Sequence, residues 1–229
     1  MTGKSDKKPI GPGKGQKTRE KIVALALHMA AQEGLGVLSI GILAKELKMS
    51  KSGLFVHFRS RENLESAVVE RASLLFLDHV VVPIEEAGLE GIERVWALCD
   101  NWLSFVEKGV LPGGYFFSGA FSQCAGQKGP ISMEITKIMR EWINTLKEAV
   151  GGARNRGEFR WTVGAKRTAF ELNSILVGEQ WSYLMGYKNR GRVRSAILAK
   201  LGNVATDKIP AEAFDSVWAW RNYLAGKQT

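Results

Sequence analysis

From Thr18 onward, apolar and polar residues follow one another with a helical rather than a strand period. Ile22, Leu25, Ala26 and Met29 recur at i, i+3, i+4 and i+7, the stripe of an amphipathic helix, and Gly34 stands where a left-handed cap would end it. Ser39 is placed to cap a second helix, Ile40 to Leu47, whose stripe is Ile40, Leu43, Ala44 and Leu47. After a short break, Ser50 can cap a brief third helix with Leu54, Phe55 and Phe58 facing inward. Ser60 can then cap a long fourth helix carrying Leu64, Ala67, Val68, Ala72 and Leu75. Pro83 predicts a kink in that helix, because its ring removes a donor and crowds the preceding turn.

Beyond residue 88 the pattern stays helical, with breaks at Gly88, Leu111 to Gly114, Gly126 to Pro130, Gly151 to Gly157, and around Gly202 to Pro210. No sustained period-two alternation occurs, so the sequence predicts an all-α chain. Residues 1–17 combine Gly, Pro and Lys with almost no apolar content and cannot offset the entropy of ordering. The chain therefore divides into a flexible basic arm (1–17), a three-helix unit (18–65) and a larger helical domain (66–229).

Charge changes the picture more than size does. A formal net charge of +9 on 229 residues favours polyanionic partners, with nucleic acid or an acidic membrane first. No run approaches the roughly 18 apolar residues of a membrane helix, and no signal-peptide core follows the basic start. A soluble, cytoplasmic protein with no membrane partner is expected. Cys99 and Cys124 lie among apolar residues without the spacing zinc requires. Buried, reduced thiols are expected, with redox sensing as the sharper alternative and no metal. His28, His57 and His79 have no matched carboxylate or nucleophile, and no phosphate-cradling glycine loop occurs. No catalytic residue and no cofactor is predicted, and His28 and His79 are expected to be structural residues on or near apolar helix faces.

The second and third helices have the makings of a helix-turn-helix. Such a motif needs a small residue where its two helices cross and apolar residues at fixed offsets to hold the second at an angle suited to the major groove. Ala44 supplies the first, and Leu43, Leu47, Met49 and Leu54 supply the second. The face left exposed carries Lys51, Ser52, Gly53 and His57.

Residues 18–66 resemble the DNA-binding region of the TetR family of transcriptional regulators. The resemblance is carried by Thr18-Arg19, by Ser39-Ile40 with Leu43-Ala44, and by the run MSKSGLFVHFRSRENL from Met49 to Leu64. In that run Ser50, Leu54, Phe58, Ser60, Glu62 and Leu64 match the family pattern directly. Gly53 replaces a usual Thr, Phe55 a frequent Tyr, and His57 an aromatic residue that often contacts phosphate. Lys48 fills a turn position that favours Gly. The resemblance implies a homodimer that binds a double-stranded DNA operator through Thr18, Ser39, Ser50, Lys51, Ser52, Gly53, Phe55, His57 and Arg59. His57 would contact a phosphate through a ring nitrogen, and Gly53 would admit a base edge or thymine methyl close to the backbone. Lys48 would adopt a left-handed conformation at a cost of about 1 kcal/mol. Lys14, Lys17 and Arg19 either reach flanking phosphates or a minor groove, or belong to a solvated tail.

The resemblance is looser after residue 67. It implies a helical domain around an apolar cavity that holds a small-molecule effector, with the last two long helices, Lys166 to Tyr187 and about Asn189 to Leu201, packing against a twofold mate. Leu172, Ile175, Leu176 and Leu198 are the expected dimer-interface residues. All seven tryptophans lie after residue 90, and each indole N–H needs a partner when buried. That density predicts a partly hydrated pocket around Trp102, Phe105, Phe117, Phe121, Trp142, Asn173 and Val177, open to a predominantly apolar, aromatic or polycyclic ligand. Asp100, Glu171 and Gln180, with Asn173, are candidates to orient it. The competing expectation is an all-helical small-molecule-binding or catalytic protein without specific DNA binding.

Overall fold

The computed structural model describes residues 13–112, 116–124, 126, 128–187 and 190–227. Helix α1 (Lys14–Glu33) begins four residues before Thr18, where the arm is expected to end, so Lys14 to Lys17 belong to the helix. Local side-chain bonds explain this: Thr18 Oγ1 donates to Lys14 O at 3.0 Å and Gln16 Nε2 to Glu20 Oε1 at 3.3 Å. The rest of the expected arm, residues 1–12, lies outside the described residues. Gly34 ends α1 with φ 90°, its N–H bonded to Ala30 O.

Helices α2 (Ile40–Glu46), α3 (Lys51–Phe58) and α4 (Arg61–Phe76) each start on the serine the sequence marks. Ser39 Oγ accepts from Ile42 N at 3.1 Å, Ser50 Oγ from Gly53 N at 3.0 Å, and Ser60 Oγ from Asn63 N at 3.1 Å. Each cap satisfies an otherwise orphaned donor and contributes about 1 kcal/mol. Ala44, Leu43, Leu54, Phe58 and Leu64 are buried where these helices meet α1. Lys48 takes the left-handed conformation at φ 53°, and Arg59, which the sequence did not flag, does the same at φ 59°. Phe55 departs from expectation. It is 51% exposed, because the inward face of this two-turn helix is filled by Leu54 and Phe58, four residues apart.

The kink expected at Pro83 takes the form of a π-helical turn, Leu77–Val81, between α4 and α5 (Val82–Glu86). Val82 N reaches back to Leu77 O, and the widened turn accommodates a proline that cannot donate.

The larger domain packs α6 (Gly91–Glu107) and α8 (Pro130–Asn155) against α4 and α9 (Ala165–Leu184). Helix α7 (Phe116–Cys124) lies across α8, and α10 (Arg190–Gly202) and α11 (Val217–Gly226) complete the C-terminal side. Among the described residues the sole extended pairing is an isolated bridge between Phe159 and Ala205. Among those residues, too, no helix is long and apolar enough to cross a membrane. The tryptophans do not converge on one place. Trp96 and Trp220 join Phe214 and Tyr223 in a separate buried cluster, with Trp220 stacked 5.4 Å from Phe214, whereas Trp161, Trp181 and Trp218 are exposed.

Candidate DNA-reading helix, ligand pocket and dimer face

Ser52, Phe55, Val56 and Arg59 share the outward face of α3, opposite Leu54 and Phe58. The Lys51 stem lies against α2, with Cε 3.5 Å from where a Cβ on Gly41 would stand. His57 is half-buried in a cleft it shares with Arg19, Arg59 and Asn63. The Arg19 guanidinium sits 5.1 Å from the Phe58 ring centroid, a cation–π contact that holds a cation from α1 beside the reading helix. The Thr18 hydroxyl is turned to its own helix, and the Ser39 and Ser50 hydroxyls are occupied in capping, with Ser52 Oγ 3.1 Å from Ser50 Oγ. Gly53 is half-buried, and a Cβ there would meet Ser50 Oγ at 3.0 Å. Val56 is 76% exposed. Sequence reading missed it, although its i+4 spacing from Ser52 would have placed it outward.

In the larger domain a pocket forms between α4, α6, α7, α8 and α9. Trp102, Phe105, Phe117, Trp142, Asn173 and Val177 line it, joined by Phe76, Phe116, Met139 and Gln180, and no lining side chain is charged. Phe76 is its hub, edge-on to Phe105 at 5.8 Å, Phe117 at 6.0 Å and Trp142 at 5.3 Å. Trp142 Nε1 donates to Asn173 Oδ1 at 3.0 Å, so this indole finds its partner in the wall.

Phe121 is not part of this wall. It is 43% exposed, one turn farther along α7 than Phe117 and beyond the pocket rim. Asp100 and Glu171 are also elsewhere: Asp100 pairs with Arg194 at 2.5 Å and Glu171 with Lys200 at 2.5 Å. The open cavity expected from the aromatic density is largely filled. About 60 Å³ remains, against roughly 300 Å³ for the smaller ligand pockets. The rings pack edge to face on one another, so a ligand enters only if some of them move.

Two links leave the pocket walls. Helix α7 starts with Phe116 and Phe117 and ends at the three-helix unit, where Leu35 N donates to Gln123 Oε1 at 3.0 Å. The approach is close enough that a Cβ on Gly34 would stand 1.8 Å from Gln123 Nε2. Helix α6, which carries Trp102 and Phe105, is tied to α10 through Arg194, bonded to Asp100 and Glu107. Burial disfavours the Arg194 charge, but its hydrogen bonds to Glu107 and Asp100 outweigh this and push its pKa up.

Leu172, Leu176 and Leu198 are fully buried within their own chain and are not available to a partner. Their stripes face the core because α9 packs on α6 and α8 while α10 packs on α6 and α9; Ile175 is half-buried. The opposite face of α9 exposes Phe170, Ser174, Gly178 and Trp181, and that of α10 exposes Ser195, Ala196 and Ala199.

The remaining candidates are not part of these sites. His79 bonds Leu75 O through Nδ1 at 2.8 Å and meets the Phe105 ring at 5.9 Å. His28 is solvent-exposed rather than set on an apolar face. Burial, with Asp100 adding to it, pushes the Cys99 thiol up to about 12, and burial with Glu65 raises that of Cys124. A raised pKa lowers the thiolate fraction of each, most of all for the fully buried Cys99.

Comparison with known proteins follows the same two parts. Residues 22–68 match the family described as bacterial regulatory proteins, tetR family, and residues 91–196 match the tetracyclin repressor-like C-terminal domain. A putative transcriptional regulator from Saccharomonospora viridis in complex with choline superposes with a TM-score of 0.72 at 19% identity, covering 83% of this chain and 98% of its own. A TetR-family regulator from Agrobacterium tumefaciens gives 0.71 at 14% identity, covering 84% and 100%. AibR in complex with isovaleryl coenzyme A and operator DNA gives 0.62 at 19%, covering 82% and 97%. No curated protein sequence matches the chain. With both family domains in the expected order on an all-helical fold, the chain belongs to the TetR family of transcriptional regulators.

Proposed function

We propose that the protein is a dimeric, ligand-responsive repressor that binds a palindromic operator through α3 and is released by a small, largely apolar effector. The observation that carries the DNA-reading part is the exposed face of α3 on a serine-capped helix, rimmed by Lys51, Arg59 and Arg19. A rim of cations around an exposed helix face suits phosphates on either side of a major groove. Lys51→Ala is expected to weaken operator binding by about 1–3 kcal/mol with little change in stability. Unchanged affinity at matched salt would remove Lys51 from the interface.

Structures sharing this fold bind choline and isovaleryl coenzyme A. The wall here, with six aromatic side chains, two neutral amides and no charged side chain, favours an apolar molecule that contains an aromatic ring and carries one or two hydrogen-bonding groups. Nothing in such a lining offers a charged partner to a coenzyme A phosphate. The effector would bind better to the conformation that fits DNA poorly and so shift the dimer toward it. The Gln123–Leu35 bond at the far end of α7 is the proposed joint between pocket and DNA-reading unit. In Gln123→Ala the Leu35 amide should exchange with solvent about tenfold faster, since a bond of about 1 kcal/mol or more is lost. An unchanged exchange rate would mean that α7 does not hold the DNA-reading unit there.

For the dimer, the proposal places the twofold axis on the exposed faces of α9 and α10. Small residues on α10 allow close approach of a second helix, and Phe170 and Trp181 supply apolar area. The alternative of a helical small-molecule binder without DNA recognition predicts duplex binding that is absent or indifferent to salt.

A further inference from the structure

The centre of the reading face of α3 is apolar, and its cations stand at the edges. Phe55 and Val56 are 51% and 76% exposed side by side, while Lys51 leans on α2, Arg59 closes the helix and His57 is half-buried on its flank. The one hydroxyl on that face, Ser52 Oγ, lies 3.1 Å from the capping Ser50 Oγ. The central positions therefore have little with which to read a donor and acceptor pattern. On the floor of the major groove, the apolar group they can recognise is the 5-methyl of thymine. The surrounding positive charge selects a polyanion for this surface in preference to an apolar protein patch.

We infer that Val56 and Phe55 form a thymine-methyl reader, so that each operator half-site places thymines beneath the middle of α3. The inference rests on the proposal that α3 enters the major groove. It adds which chemical group on the DNA is read there and which side chains read it. Val56, with its stiff branched side chain, contributes a preformed methyl surface that loses little rotamer freedom on contact.

Deoxyuridine provides the test, because it keeps every hydrogen-bonding edge of thymidine and lacks only the methyl group. Duplexes retained by the full chain from a random pool are resynthesised with each half-site thymine replaced in turn, and affinities are measured for the parent, Val56→Ala and Phe55→Ala. The parent should lose about three- to tenfold at one or two positions per half-site, the effect of exposing one buried methyl group. Val56→Ala should bind the thymine duplex more weakly and lose discrimination at one of those positions, and Phe55→Ala likewise at its own. Both side chains are exposed, so circular dichroism should show intact folds. Retained duplexes without thymine at the half-site centre, or no loss with any deoxyuridine, would overturn the methyl reader while leaving DNA binding by α3 intact. No retained duplex at all would overturn the DNA-reading role itself, and the inference with it.

Discussion

Placing arginine at Ser174 and Ala199 together is expected to leave the protein folded but monomeric and to reduce operator affinity by at least about a hundredfold. Both side chains are exposed on the isolated chain, so the change should cost its fold no more than about 0.5 kcal/mol. Across a twofold axis, however, each substitution meets its own copy, and like charges would face one another where small residues allow close packing. A dimer gains affinity because the second half-site is bound intramolecularly, which multiplies affinity by about 10²–10⁴, and this factor is lost when the subunits separate. Sedimentation and operator titration on the same sample read both effects. A stable dimer in the double variant would place the interface elsewhere.

Phe76→Ala carries the largest expected stability effect. The ring is nearly buried and touches three other aromatic side chains, so its loss should cost about 3–5 kcal/mol, or roughly 6–20 °C in Tm for a chain of this size. The space left would adjoin the small cavity already present. A simple aromatic such as indole or benzene should then bind and recover about 2.7 kcal/mol at a hundred times its Kd. Thermal melts of the variant without ligand, with indole and with benzene provide the measurement. Full stability without Phe76, or no rise with either aromatic, would mean that this cluster is not a site where ligand and side chain exchange.

Short-range chemistry was the most readable part of the sequence. The caps at Ser39, Ser50 and Ser60 and the left-handed Lys48 depend on a few neighbouring residues, and all four appear as expected. The bounds that the family resemblance implied for the last two long helices, Lys166 to Tyr187 and about Asn189 to Leu201, lie within about three residues of α9 and α10. Reading failed where a choice between faces depended on tertiary packing. Phe55 was assigned inward as well as to DNA because periodicity in a two-turn helix does not separate it from its neighbour Leu54. The leucines of α9 and α10 were assigned to a partner, but the most apolar stripe of a helix serves its own core. The face proposed for a partner mixes Phe170 and Trp181 with the small residues Ser174, Gly178, Ser195 and Ala199, and so forms no continuous apolar stripe that periodicity would detect.

The pocket was legible in part because Trp142 and Asn173 lie on long helices whose stripes converge. Phe76 continues the Val68 and Ala72 stripe at i+4 and escaped notice because that stripe was ended at its neighbour Leu75. Phe121 was misplaced because α7 is short and begins beside a break that periodicity does not orient. Counting tryptophans overstated the cavity, since two of them build the cluster around Trp220 and three are exposed.

The central claim is that this chain reads a symmetric DNA site as a dimer, and it is tested most directly by sequencing the duplexes it retains from a random pool and titrating salt against the best of them. The account predicts an inverted repeat with half-sites about one turn, or roughly 34 Å, apart. It also predicts affinity that falls steeply between about 50 and 200 mM salt as phosphate contacts are lost. No enriched sequence, or a single asymmetric site bound equally well at both salt concentrations, would contradict it.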